Sequence, residues 1–207
     1  MKAAMQALGY PQEDLTVLIV QLATLFREGK EVRMSTRLGQ LITLREVMEE
    51  VGRDAARFFF LMKKLDSPLD FDLELAKRQS LENPVYYIQY AHARSTSLLQ
   101  YGKGPLGSFE PASVDISLLD AEEELELLKT MRQFPQTILS CARHLEPSLL
   151  IVYLQRLAGL FHRFYQKHRV VTEDIELSRA RFLLVQCIRQ NLATGLSLLG
   201  VSHPDKM

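Results

Sequence analysis

Five side chains able to stack on a planar ligand or hydrogen-bond to it follow one another closely: Tyr86, Tyr87, Tyr90, His92 and Arg94. Asn83 is a good helix N-cap, and Pro84 suits a first helical turn, where a missing N–H costs nothing. One helix therefore carries all five. Its geometry puts Tyr86 and Tyr90 on one face at i, i+4, with Ala93 continuing that face and Tyr87 about a quarter turn away. Val85, Ile88, Ala91, Leu98 and Leu99 fall near helical spacing and would bury another face. Two readings are open. The helix could be a core helix whose tyrosines are half buried, or it could offer aromatic rings and an arginine to unpaired nucleotides.

A second constellation is Phe161-His162-Arg163-Phe164-Tyr165, followed by Lys167, His168 and Arg169. Leu157, Phe161 and Phe164 form a core stripe. His162, Arg163 and Tyr165 are left to face outward or across to the tyrosine helix. Basic groups beside aromatics suit phosphate positioning with base stacking; equally, cations in a last helical turn simply favour the helix dipole. Other candidates are weaker. Asp66, Asp70, Asp72 and Glu74 alternate with apolar residues at a strand-to-helix transition, where turn and cap roles fit better than acid–base chemistry. Gly102-Lys-Gly-Pro105 lacks the Gly-Lys-Ser/Thr and the preceding strand of a phosphate loop. Cys141 and Cys187 have no CxxC or neighbouring His spacing and read as buried free thiols of a reducing compartment. No metal-ligand spacing and no complete catalytic set is present.

The elements that must position these groups are mostly helical. A helix near the N-terminus ends at Gly9-Tyr10-Pro11. The β-branched, apolar run 16–26 predicts a buried strand, Arg27-Glu-Gly-Lys30 a turn, and residues 31–34 a returning strand. A third short strand, Leu41-Ile42, leads into Thr43-Leu-Arg-Glu46, a capping box that opens a helix ending near Gly52. From there helices are expected over residues 53–63, 72–80, 83–101, 118–134, 136–144 and 147–168. Thr172 or Asp174 caps a last one reaching Leu199, with Gly200 at C′. Residues 102–117, rich in Gly, Pro and Ser, read as a flexible loop. The fold class is mainly α, with a small α/β segment in front, and the period changes between residues 43 and 52.

Of 207 residues, 47% are hydrophobic and 24% charged, the balance of a soluble globular chain. Apolar runs are far too short for a membrane span, and no signal-peptide pattern opens the chain. Net charge is zero but unevenly spread. From residue 150 onward eight basic residues face four acidic ones, whereas between 105 and 149 eight acids face three bases. A neutral total can thus hide a basic face for phosphates.

Asn83-Pro-Val-Tyr-Tyr-Ile-Gln-Tyr-Ala-His-Ala-Arg94 resembles the start of the anticodon-binding domain of bacterial arginyl-tRNA synthetases. The likeness continues, in order, through residues 49–61, residues 69–77, Phe161-His-Arg-Phe-Tyr165 and the tail Leu198-Leu-Gly-Val-Ser-His-Pro-Asp-Lys-Met207. It implies a helical anticodon-binding domain over 51–207 and, over 1–50, the end of a class I catalytic domain of Rossmann type. The upstream parts of such an enzyme, with the His-x-Gly-His motif that packs against ATP, are not in this sequence. Asp54-Ala-Ala-Arg57 corresponds to the motif after which the domain is named, and its reading here is structural. Arg33, Met34, Ser35, Thr36 and Arg37 fall where the family places its Lys-Met-Ser-Lys loop, with Arg33 for the first lysine and Thr36 for the second. Arginine is not a neutral exchange for that lysine, so the loop is a variant one.

The resemblance implies binding of arginine tRNA by Tyr86, Tyr90, Ala93, Arg94, His162, Arg163, Tyr165 and Met207, the last because family members tend to end on a methionine packed near the anticodon loop. ATP with Mg is expected for a full-length enzyme, with no cofactor or metal bound by this chain alone and no arginyl-adenylate made by it. A monomeric, cytoplasmic protein with no membrane or DNA partner is implied. The alternative is a stand-alone helical module that binds RNA or protein and has no ligase role.

Overall fold

Thr43 closes a full capping box, its hydroxyl accepting the Glu46 N–H while Glu46 reaches back to the Thr43 N–H at 2.6 Å. This box starts one of the helices in a computed structural model that describes residues 1–32 and 42–207. Arg33, Met34, Ser35, Thr36 and Arg37, the strand expected beyond Val32 and the residue Leu41 lie outside the described residues.

The helices are α1 (Lys2–Ala7), α2 (Leu44–Val51), α3 (Arg53–Leu61), α4 (Leu73–Lys77), α5 (Pro84–Leu106), α6 (Glu122–Arg132), α7 (Phe134–His144), α8 (Ser148–Lys167) and α9 (Ile175–Leu198). Strands β1 (Ala23–Arg27), β2 (Lys30–Glu31) and β3 (Leu69–Asp72) form a sheet in the order β2-β1-β3. β1 and β2 are an antiparallel hairpin whose turn uses positive φ at Glu28 and Gly29, the pair of angles a two-residue hairpin turn requires. β3 pairs parallel with β1, Ala23 opposite Leu69 and Phe26 opposite Asp72. The sheet thus draws a strand from beyond α3; α3 and α4 pack on it, and α2 packs on those two helices.

That register also decides the fate of the apolar run before β1. A buried strand over 16–26 is the sequence expectation; only Ala23–Arg27 forms one, and Val17, Leu18, Ile19, Val20 and Leu22 are exposed. β3 begins opposite Ala23, and before it the run makes a single described backbone bond, Gln21 N–H to the Leu65 carbonyl at 2.7 Å, too little to continue the ladder. A second correction concerns residues 102–117. α5 runs on to Leu106, because Gly102 is buried against Phe182 so closely that a Cβ there would lie 2.7 Å from the ring. Gly107, at φ +63°, then ends the helix. Short 3-10 turns at Pro111–Ser113 and Ile116–Leu118 cover part of the remainder.

The larger part is a bundle in which α5 lies along α9, while α8 packs on α5, α6, α7 and α9. Its core is Ile88 and Ala91 of α5, Ile151, Leu154, Leu157, Phe161 and Phe164 of α8, and Leu184, Val185, Ile188, Leu192 and Leu196 of α9, all buried. Of the two free cysteines Cys141 is half buried, but Cys187 is exposed, not buried as expected. It stands on α9 one residue before the core-facing Ile188, on the side turned to solvent. The carboxylates at 66–74 do local work: Asp72 caps α4, accepting the N–H groups of Glu74 and Leu75. No group of three potential metal ligands exists among the described residues.

Candidate nucleic-acid interface

Asn83 caps α5 through the Val85 N–H and fixes its own amide on the carbonyls of Ala76 and Arg78. The start of the tyrosine helix is thereby tied to the end of α4. Burial of Val85, Ile88 and Ala91 against the bundle turns the opposite face outward. Tyr86 and Tyr90 lie on it with rings nearly parallel, 7° apart in plane and 6.3 Å between centroids.

α8 completes the surface. His162 stacks on Tyr90 with centroids 5.8 Å apart, and its other neighbour is Tyr87 at 4.7 Å. The Arg94 guanidinium lies 4.6 Å from the Tyr165 ring centroid and 5.7 Å from that of Tyr90, within cation–π reach of both. No carboxylate among the described residues comes within ion-pair distance of it. Tyr86, Tyr90, His162, Arg94 and Tyr165 thus form one continuous, half-buried surface across two helices. Ala93 is on the adjoining turn, but at 5% exposure it is covered and offers almost no surface. Tyr87, which the helical wheel alone sets aside, is drawn in by His162.

Burial pushes the His162 pKa down, the Tyr87 carbonyl opposes this, and the nearby Arg94 charge lowers it further. At neutral pH this ring is an uncharged stacking partner rather than a phosphate-binding cation. Burial raises the Tyr87 hydroxyl above its ordinary value, so that ring also stays neutral.

The chain's last residues run back over α5. Gly200, at φ +69°, ends α9 in the left-handed conformation, with the Val201 N–H on the Leu196 carbonyl at 3.0 Å. Arg57 of α3 donates to the Leu199 carbonyl. Asp54 accepts from the Ser202 N–H, the Ser202 hydroxyl and the Gln89 amide, and Gln89 also donates to the Ser202 carbonyl at 2.9 Å. Further along, His92 faces the Pro204 carbonyl through Nδ1 at 3.0 Å, Thr96 donates to Asp205 at 3.2 Å, and Arg189 reaches both. These anchors bring Met207 into a cavity of about 500 Å³ lined also by Tyr86, Gln89, Asn83 and Asp54. The Asp54-Ala-Ala-Arg57 motif does hold structure, but at the chain's far end: it pins the tail whose Met207 lines the same cavity as Tyr86.

Part of the segregated charge is paired in the fold. Arg163 pairs with Glu126 at 3.3 Å, Lys167 and His168 with Glu123, and Arg181 with the wholly buried Glu124 at 2.7 Å. The acidic row of α6 therefore lies against the basic end of α8 and α9. The two opposite surpluses seen in the sequence thus meet in part, while Arg156 and Arg169 have no carboxylate within ion-pair distance among the described residues.

A half-buried ring stack with an arginine free of carboxylates thus lies on a helical bundle whose tail returns to it. Residues 88–207 match the family described as DALR anticodon binding domain, and the chain belongs to that family. Over its whole length it is similar, at 50% identity, to the arginine–tRNA ligase of Syntrophotalea carbinolica, of which it covers 38%. A likeness of 52% relates it to the arginine–tRNA ligase of Carboxydothermus hydrogenoformans, with 37% of that protein covered. Among solved structures, Thermus thermophilus arginyl-tRNA synthetase is similar over all of this chain and 38% of its own, with a TM-score of 0.80 at 26% identity. The chain spans a little over a third of the length of these relatives.

Proposed function

We propose that this chain is the anticodon-binding portion of an arginine–tRNA ligase and that it grips the anticodon stem and loop of arginine tRNA. The observation that carries this reading is Arg94 held between Tyr90 and Tyr165, next to the His162–Tyr90–Tyr86 stack. Unpaired bases stack on such rings at about 1–3 kcal/mol each, and the guanidinium supplies a planar cation that can stack or hydrogen-bond. Tyr86, Tyr90, His162 and Tyr165 provide the stacking surface, and Arg94 and Arg163 the cations. Met207 closes the Tyr86 end, and Ala93 acts from beneath by leaving room for the surface above it.

Residues 1–50 belong, in this reading, to the end of a catalytic domain, and 51–207 to the tRNA-binding part. The whole ligase uses ATP with Mg, works in the cytoplasm and acts as a monomer. Arg33, Met34, Ser35, Thr36 and Arg37 form the variant ATP loop of that enzyme. No helix among the described residues is long and apolar enough to cross a membrane.

Binding of the purified chain to arginine tRNA, compared with the same tRNA carrying a substituted anticodon at two salt concentrations, tests the proposal. Discrimination that persists as salt rises is expected from base stacking and readout. Equal, steeply salt-dependent binding of both RNAs would leave only phosphate attraction. Absence of binding to either overturns the reading.

A further inference from the structure

The aromatic stripe of α5 does not stop at Arg94. Leu98 and Tyr101 follow at helical spacing, and Tyr101 is 68% exposed, with no ring contact or hydrogen bond among the described residues. Beside it opens a groove of about 620 Å³, within the size range of small-ligand sites. Leu98 and Tyr101 of α5 line it, with Tyr165, Gln166 and Lys167 of α8 and residues 168–171 that follow. Tyr165 is shared: one ring borders this groove and also carries the Arg94 guanidinium of the surface described above. The two sites are therefore contiguous.

The basic side chains here are unequal. Lys167 and His168 are both engaged by Glu123. Arg169 is exposed and has no carboxylate within ion-pair distance among the described residues, while its carbonyl is held by Arg181 at 2.8 Å. Its backbone is fixed and its charge is available. An exposed ring and an uncommitted guanidinium lining one groove, with apolar side chains from Leu98, Val170 and Val171, match a nucleotide in its two parts. The base is flat and apolar on its faces, and the phosphate is anionic.

We propose that this groove is an additional nucleotide subsite, in which one unpaired nucleotide of the bound RNA stacks its base on Tyr101 and sets its phosphate on Arg169. The proposal rests on the anticodon-binding reading and extends the RNA path past Tyr165. It adds a contact that the tyrosine and histidine stack alone does not make.

The test is affinity for an arginine-tRNA transcript, measured by fluorescence anisotropy over a salt series, for the parent chain and for Tyr101→Ala, Tyr101→Phe, Arg169→Gln and Tyr90→Ala. Tyr101 and Arg169 are exposed, so circular dichroism should show an unchanged fold. Expected are an affinity loss of about tenfold for Tyr101→Ala, near-parental binding for Tyr101→Phe, and for Arg169→Gln a salt slope lower by about one. If Tyr90→Ala weakens binding while Tyr101→Ala and Arg169→Gln bind as the parent does, the subsite is overturned and the anticodon reading stands. If neither Tyr90→Ala nor Tyr101→Ala changes affinity, or the parent does not bind, both fall.

Discussion

At the scale of single residues, Arg94 has a chemistry that a lysine could not reproduce. Its planar group lies against two tyrosine rings, and its Nε is buried with no hydrogen-bond partner among the described residues. Arg94→Lys keeps the charge but loses the flat surface, so tRNA affinity should fall about tenfold while the unfolding midpoint hardly moves. A variant that binds as well as the parent would show that charge alone is used there. His92 makes a different prediction. It is wholly enclosed, Pro204 can only accept, so Nδ1 carries the proton, and Nε2 has no partner among the described residues. Burial is the main cause of its lowered pKa, helped by the Arg189 and His203 charges and opposed by the Pro204 hydrogen bond and by Asp205. A histidine held below its unfolded value, near 6.5, contributes stability that is intact above that pH and is lost as pH falls toward the folded value. Denaturant midpoints measured downward from about pH 7 should decline less steeply in His92→Gln than in the parent, with His162, shifted in the same direction, supplying the remaining slope. The sequence shows that Tyr86, Tyr90 and Arg94 share a helix. It does not show that His92 is buried beneath the chain's own tail, because that contact joins residues 112 positions apart.

Among elements, the returning tail is the one with most at stake. Thr43, Asn83, Asp174 and Gly200 are legible as caps because a cap is a local matter: each closes hydrogen bonds within three or so residues of itself. The exposed run 17–22 is misread for the opposite reason, since whether an apolar run becomes a strand depends on a partner that local pattern does not name. Asp54 shows both sides. It is recognisable as an acid in the first turn of α3, yet its three donors come from Ser202 and Gln89. Asp54→Ala leaves those donors without their acceptor and should destabilise the chain by about 1–3 kcal/mol. The loss should be local. Amide exchange of residues 201–207 should accelerate far more than exchange in α8, and discrimination between anticodons should weaken as Met207 leaves the cavity it lines with Tyr86. Uniform acceleration across the bundle would mean that Asp54 supports the core and has no particular hold on the tail.

For the molecule as a whole, the question is how a chain of zero net charge attracts a polyanion. Its charges are segregated in sequence but matched in space, α6 against α8 and α9, across pairs separated by 37 to 57 residues. Segregation was visible in composition; matching could not be, because it depends on which helices pack together. The pairs differ in what they can release. Arg181–Glu124 is enclosed and structural, and breaking it by removing one partner leaves a buried charge uncompensated. Glu123, held by Lys167 and His168, has its pKa lowered to about 2, so the stability it lends persists above the ordinary carboxylate range and is lost as pH falls from about 4.5 toward 2. Arg163–Glu126 is the exposed pair, 3.3 Å apart and well solvated, worth little to stability. It is also next to the site, since Arg163 directly follows His162. A phosphate arriving there must displace Glu126, and the acid's repulsion acts against every approaching RNA, cognate or not. Glu126→Gln should therefore leave the unfolding midpoint unchanged, tighten binding to all tRNAs by a similar factor, and steepen the salt dependence by about one counterion. The ratio between cognate and substituted anticodons should stay where it was, because the stacking residues are untouched. If Glu126→Gln instead weakens binding, Arg163 needs the carboxylate to hold its orientation, and the pair positions the arginine rather than masking it.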